Sequence, residues 1–296
     1  MSLADDDVPR DQRATITTPR GSRANRLCPA PGPDRLTAMA VVSVLSLKGG
    51  VGKTSVVLGL AGSATVQGLA TLVVDLDPQG NATSLLKSHK PRTTVADVLG
   101  HPTKDTVEAA LTPCDWEVAP GEVDVLPGHP NTIRFDSWTG GPWRPKLSRA
   151  LGHLDEGYDL VLIDCPPSLG ALTREALAAS DLALVVTTPS YFGAQGVERA
   201  MAEIDEVRKT HNPDLQLAGI VVNRVRSVAE EHQYREHELV EIYGRSTVLK
   251  PLMPERIAVQ QAEGTGQPVQ LVRTAGGREV AEIYDSYLTK LLKLTR

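Results

Sequence analysis

From Met39 onward, short apolar runs alternate with longer amphipathic stretches. Residues 41–47, 71–76, 123–126, 159–164, 182–187 and 217–222 have strand length, and 247–249 is a weaker run of the same kind. Most are continuously apolar rather than alternating, as expected of strands buried on both faces of a parallel sheet. Between them, residues 55–66, 169–179 and 196–209 read as helices, the last with Val197, Met201, Ile204 and Val207 on one stripe. The closing segment places Val280, Ile283, Tyr284, Tyr287, Leu288 and Leu291 at helical spacing. This alternation predicts an α/β fold: a doubly wound, mostly parallel sheet flanked by helices. No repeat and no second boundary follows Met39, so residues 39–296 read as a single domain. Residues 87–150, rich in Pro and Gly, are the least regular part and read as surface insertions.

Residues 1–38 break the pattern. They hold five Pro, six Arg and five Asp without apolar periodicity, which reads as a disordered tail. Met39 opens the first strong strand and is a candidate for the true start.

Composition narrows the classes. Aromatics are only 4% of the chain, so the core must be built from Val, Leu, Ile and Ala. No apolar run approaches the roughly 18 residues of a membrane span, and the N-terminus lacks a charged-then-apolar export pattern. Three scattered cysteines (Cys28, Cys114 and Cys165) do not make a disulfide framework, which fits a reducing, cytoplasmic compartment. The net charge of −5 excludes a uniformly basic coat but permits a local basic patch.

The strongest chemical signal is Lys48-Gly49-Gly50-Val51-Gly52-Lys53-Thr54-Ser55, directly after the first strand and opening a helix. That is the context a phosphate-binding P-loop requires. Its glycines let backbone N–H groups converge on phosphate oxygens, and the helix N-terminus adds its dipole. Lys53 is placed to reach the β- and γ-phosphates of ATP, and Thr54 to ligate Mg²⁺. The usual pattern G-x-x-x-x-G-K-[ST] would put glycine at position 47, where Leu47 stands. The extra cation, Lys48, cannot easily share a phosphate with Lys53 from within one loop. It reaches toward another subunit's nucleotide or is a solvated surface lysine.

Two acidic strand ends complete the set. Residues 72–79 close the second strand with Asp75 and Asp77, which share one face by the period-two rule. Residues 158–164 carry four apolar positions followed by Asp164, a Walker B pattern whose acid holds Mg²⁺ through water. In open α/β sheets, ligands bind outside the carboxyl ends of the strands.

In combination, KGGVGKT (48–54), VDLDPQGNAT (74–83), YDLVLIDCPPSLGALT (158–173), SYFGAQG (190–196) and VVNR (221–224) resemble the deviant-Walker ATPases, most closely the ParA/Soj partition group. The resemblance spans nearly everything after Met39. It implies an ATPase that forms an ATP-sandwich homodimer, binds non-specific double-stranded DNA on the nucleoid, and drives segregation of a plasmid or chromosome. Hydrolysis would be slow until a ParB-like centromere-binding partner stimulates it. It also implies roles: Lys48 as the lysine that contacts the partner's phosphates, Asp77 as the residue that positions water, and Asp75 and Asp164 as acids at Mg²⁺. Asn223 would lie at the adenine, with Arg224 beside it. DNA would meet a basic surface in the C-terminal third, with Arg226, Arg245, Lys250, Arg256, Arg273 and Arg278 as candidates beside Arg224. From Arg224 onward, eleven basic residues face ten acidic ones, so any patch must come from how the fold sorts them.

The chain departs from the family at Thr188-Pro189-Ser190, where an acid is common, and at residues 134–144. There Trp138 and Trp143 lie between arginines, either as a partner loop or as local packing. The tail is too short for a DNA-reading helix-turn-helix domain, which argues against a repressor role.

Rival readings share the nucleotide site. A MinD-like membrane cycle would use the C-terminal amphipathic helix, but residues 285–296 carry no Phe or Trp anchor. No stable membrane association is therefore expected. A cargo-positioning relative differs only in its partner. An iron-protein type of redox enzyme needs paired cysteines across a dimer, and Cys165 has no suitably placed companion.

Overall fold

The computed structural model describes residues 39–86, 91–116, 118, 120–137, 143–154 and 157–295. Among the described residues seven strands form one sheet: β1 (Ala40–Leu45), β2 (Ala70–Asp75), β3 (Thr112–Pro113), β4 (Glu122–Leu126), β5 (Leu160–Asp164), β6 (Leu182–Thr187) and β7 (Gln216–Val222). Their spatial order is β3-β4-β2-β5-β1-β6-β7, and only the two-residue edge strand β3 runs antiparallel. The mostly parallel, doubly wound sheet read from the sequence is thus the fold found. The chain winds outward through β2 and β4, returns through β5 beside β1, and then builds β6 and β7 on the other side. This reversal leaves a crevice at the carboxyl ends of the central strands.

Every central strand is buried along its whole length. Val42, Val44, Val73, Leu162, Leu184 and Val221 face one layer, while Val41, Leu45, Leu72, Val161, Ile163 and Val185 face the other. That is why the runs are continuous rather than alternating. The first layer holds α1 (Lys53–Val66), α9 (Ile257–Thr265) and α10 (Ala275–Leu294). The second holds α3 (Val95–Gly100), α4 (Lys104–Ala110), α5 (Lys146–Leu151), α6 (Ala171–Ala178) and α7 (Tyr191–Thr210). The short α2 (Asn81–Leu85) follows β2, and α8 (Glu230–Tyr243) follows β7.

Residues 87–150 are more regular than the sequence suggests. They supply α3, α4, α5, β3 and β4, and bury Val95, Val98, Leu99, Val107 and Leu147 against the sheet. These helices have six or seven residues each, too few turns to show a 3.6-residue period in a sequence window. Local caps define them instead. At α3, Thr94 and Asp97 form a reciprocal capping box, with the Asp97 carboxylate accepting from the Thr94 amide and hydroxyl at 2.9 Å each. The weak run 247–249 contributes only an isolated bridge, Val248 to Ile220, rather than a strand of the sheet. Helices α8 and α9 were not legible, since neither has a strong apolar stripe: each keeps one or two buried residues.

The closing helix α10 places its whole apolar stripe inside. Val280, Ile283, Tyr284, Tyr287, Leu288 and Leu291 are buried, largely against α1. The face that a lipid-binding helix would need is therefore already covered by its own domain. No helix among the described residues is long and apolar enough to cross a membrane. Trp143 packs edge-on to His211 with ring centroids 4.4 Å apart, which is local packing. Trp138 lies outside the described residues.

Candidate nucleotide site

Pairing registers bring the acids together before any side chain is considered. Val44 pairs with Asp164 across β1 and β5, and Asp75 pairs with Asp164 across β5 and β2. Both aspartates thus end their strands at the same level, beside the loop that leaves β1. In that loop Gly50 and Gly52 take left-handed backbone (φ 76° and 87°), which glycine adopts without steric cost. At Gly52 the requirement is double: a β-carbon there would stand 2.2 Å from Asn223 Nδ2. The Asn223 amide donates instead to the Val51 carbonyl at 2.7 Å, so the end of β7 braces the loop. Arg224 follows in left-handed backbone (φ 57°), with its amide donating to Asn223 Oδ1 at 2.9 Å and its side chain exposed.

Lys53 opens α1 and points into the acids. Its Nζ donates to Asp164 Oδ1 at 2.6 Å and lies 4.0 Å from Asp77 Oδ2. Thr54 Oγ1 donates to the other Asp164 oxygen at 2.7 Å. Lys53, Asp75, Asp77 and Asp164 are all buried. Burial acts to lower the Lys53 ammonium, but the adjoining Asp164 carboxylate outweighs it and holds the lysine above its usual range. Desolvation, with the nearby Asp164 charge, pushes the Asp75 carboxyl up to about 7, against the hydrogen bonds from Thr83.

The structure sorts the sequence candidates into four groups. Lys53, Thr54, Asp77 and Asp164 converge. Asp75 is adjacent but engaged with α2: its Oδ2 accepts from the Thr83 amide and hydroxyl at 2.9 and 2.7 Å, and its Oδ1 from the Asp77 amide at 3.2 Å. Lys48, Gly49 and Gly50 are exposed at the mouth, and Lys48 forms no ion pair with any described residue. Ser55, by contrast, turns away from the mouth and donates to Glu263 Oε1 on α9 at 2.5 Å.

Glu263 and Tyr284 were missed by sequence reasoning. The Tyr284 hydroxyl donates to the Ser55 carbonyl at 3.1 Å, so two C-terminal helices hold the first turn of α1. One signal was present: Gly59 and Gly62 inside a helix mark a close approach. A β-carbon at Gly59 would meet the Tyr284 ring at 2.2 Å, and one at Gly62 would meet Gln270 Oε1 at 2.1 Å.

Three of the seven candidates for the predicted basic surface are already paired with acids. Arg226 pairs with Glu255 and Lys250 with Glu236, while Arg256 is bidentate to Glu279 at 2.6 and 3.0 Å. Arg245, Arg273 and Arg278 are exposed, and Arg278 donates to the Arg273 carbonyl at 3.0 Å. The two described cysteines do not make a cluster site. Cys165 is fully buried, and burial pushes both it and Cys114 up to about 12.

A buried lysine among strand-end carboxylates, under a glycine loop at a helix N-terminus, is built to take a polyphosphate and a hard cation. Its donor set of hydroxyl and carboxylate oxygens suits magnesium. Among the described residues no three His, Cys, Asp or Glu side chains form a closed metal cage. Magnesium at such sites takes its remaining ligands from phosphate and water.

Comparison with known proteins agrees with this geometry. The AAA domain family model matches residues 39–217. The sporulation initiation inhibitor protein Soj of Bacillus subtilis is 30% identical, over 82% of this chain and 94% of that protein. The chromosome partitioning protein ParA of Myxococcus xanthus is 32% identical, over 79% of this chain and 82% of that one. Among solved structures, a cobyrinic acid a,c-diamide synthase from Mycobacterium smegmatis with bound ADP and magnesium superposes with a TM-score of 0.70. It shares 29% identity, over 84% of this chain and 93% of that one.

Proposed function

This chain belongs to the ParA/Soj family of P-loop ATPases, and from that premise we propose a partition ATPase that dimerises around ATP and carries DNA cargo. The observation that carries the reading is the buried Lys53–Asp164–Thr54 cluster beneath the glycine loop. Lys53 would neutralise the β- and γ-phosphates of the substrate ATP. Thr54, with Asp75 and Asp164, would hold Mg²⁺, which supplies charge neutralisation when bound. For Lys53 to reach phosphate it must leave Asp164, so substrate binding exchanges one anion for another at the same ammonium. Asp77 is buried 4.0 Å from that ammonium and would orient the attacking water. Phosphoryl transfer needs positioning and charge stabilisation more than covalent chemistry, and this constellation offers both.

Lys48 stands outside this cluster, exposed and without an ion pair among the described residues. It would contact the phosphates of a second copy, with Gly49 to Gly52 and Ser55 framing the loop, and Asn223 and Arg224 would border the adenine. Hydrolysis would be slow until a ParB-like partner completes the site. The ATP-bound dimer would then hold non-specific double-stranded DNA on the nucleoid through phosphate contacts, with cytoplasmic exchange between cycles. Arg245, Arg273 and Arg278 support this role better than Arg226, Lys250 and Arg256, whose charges are already paired on the surface.

DNA retention with ADP, ATP and a non-hydrolysable analogue across a salt series tests the reading. Retention with ATP or the analogue alone, falling steeply with salt, is expected. Equal retention with ADP, or a salt-independent signal, overturns it.

A further inference from the structure

The two oxygens of the buried Asp75 carboxylate are held unequally. Oδ2 accepts from both the amide and the hydroxyl of Thr83, at 2.9 and 2.7 Å, while Oδ1 accepts one longer bond, 3.2 Å, from the Asp77 amide. The Thr83 oxygen is itself held from behind, because the Gly128 amide donates to it at 2.8 Å. An amide can only donate, so the Thr83 oxygen accepts there and its one proton is left for Asp75. The chain of bonds therefore has a fixed direction, from Gly128 through Thr83 to Asp75.

Three separate segments meet in it. Asp75 ends β2, Thr83 lies in α2, and Gly128 follows the end of β4. Strands β2 and β4 pair in parallel with Val74 opposite Leu126, which brings the exit of β4 to the level of Asp75. The approach is close enough to demand glycine: a β-carbon at Gly128 would stand 2.8 Å from Asp75 Cγ and 2.9 Å from Oδ2. The same loop is anchored to α3, since the Pro127 carbonyl accepts from the Val95 amide at 2.8 Å. Asp75 is fully buried, so these protein groups rather than bulk solvent set its orientation. The short helix α2 needs only an acceptor for the Thr83 amide. The Thr83 hydroxyl adds a bond that α2 does not require, and what that bond fixes is the carboxylate.

We propose that Thr83 is a positioning residue for magnesium, drawing Asp75 Oδ2 into α2 and leaving Oδ1 as the oxygen with acceptor capacity to spare. This rests on the reading above that Asp75 lies at Mg²⁺. Its added content is that metal affinity depends on an uncharged hydroxyl and on the exit of β4. Groups that hydrogen-bond a metal-site carboxylate are worth about 10- to 100-fold in metal affinity or activity.

Calorimetric binding of a non-hydrolysable ATP analogue to the full chain, across a magnesium series, tests it. Thr83→Val keeps the shape and removes the hydroxyl. Its magnesium midpoint is expected to rise about tenfold, while its affinity for the analogue in EDTA matches the parent's. Thr83→Ser, which keeps the hydroxyl, should restore the parent midpoint. A parent-like midpoint in Thr83→Val, or an equal loss of affinity with and without magnesium, assigns the hydroxyl to α2 alone and overturns the inference, while the proposed function stands. Should Thr83→Val fail to fold, Gly128→Ala decides, because it presses on the same carboxylate with the hydroxyl in place. A raised midpoint with unaltered affinity in EDTA is expected of it, and a parent-like midpoint overturns the inference. If the parent's own affinity for the analogue is indifferent to magnesium, the metal reading of Asp75 fails and takes the inference with it.

Discussion

At the carboxyl ends of β1, β2 and β5 four ionisable side chains are buried together, whereas Arg226, Lys250 and Arg256, beyond Arg224, lie on the surface in opposite-charge pairs. The two regions have similar residue types and opposite physics. In the first, Lys53, Asp75, Asp77 and Asp164 interact through protein, burial raises the carboxyls of Asp75 and Asp164 and the Asp164 charge raises the Lys53 ammonium, and a bound phosphate or cation changes the balance of the whole cluster. In the second, Arg226, Lys250 and Arg256 are screened by water, and exposed pairs of this kind contribute little to stability. The teaching is that counting charges in the sequence finds neither region's role. What matters is whether the fold removes the charges from water.

That contrast ranks the expected effects of substitution. The largest belongs to Asp77→Ala, which removes one buried acid from the cluster. ATP turnover should fall by about 10² or more while ATP is still bound, since positioned acid–base groups contribute on that order. Phosphate release and nucleotide affinity, measured on the same variant, check it, and normal turnover would remove Asp77 from the mechanism.

Next comes Gly59→Ala, which drives a methyl group into the Tyr284 ring behind the same site. Overpacking of this kind costs about 1–3 kcal/mol. A lowered urea midpoint is expected, and an unchanged one would show that α10 yields easily.

A third substitution lies midway between the two regions. Asp97 is mostly exposed, and the Thr94 amide and hydroxyl outweigh its slight desolvation to hold its carboxyl below the ordinary range. A carboxyl lowered in the folded state contributes stability that is present above the unfolded value of 3.8 and is lost as pH falls through the lower folded value. Asp97→Ala should cost about 1 kcal/mol at neutral pH, as loss of a helix cap does. The difference from the parent should shrink below pH 3.8, as urea titrations at several pH values would show.

The smallest stability effect belongs to Glu279→Gln on the surface, expected within about 0.5 kcal/mol. It releases Arg256 from its bidentate partner. If the C-terminal surface meets DNA, retention should strengthen and its salt dependence steepen by up to about one counterion. Unchanged retention would leave Arg256 outside the DNA surface.

Much of the site was legible because it is local. The spacing from Lys48 to Ser55, the strand before it and the helix after it fit within a short stretch of chain, and backbone geometry does the rest. Asp75 and Asp164 could be recognised as strand ends, since each closes a continuous apolar run. The short helices of residues 95–151 were not legible, because each makes fewer than two turns and takes its stability from packing on the sheet. Glu263 was illegible for another reason. Its partner Ser55 is 208 residues away, and no local pattern records a contact at that separation.

The sequence by itself determined most of the strands, their mostly parallel arrangement and the glycine loop, because apolar periodicity and glycine conformation act over a few residues. Only the tertiary structure decided which charges are buried, that the stripe of α10 belongs to its own domain, and that the exit of β4 closes on Asp75. Those outcomes depend on which distant segments exclude water from one another, and no short stretch of chain carries that information.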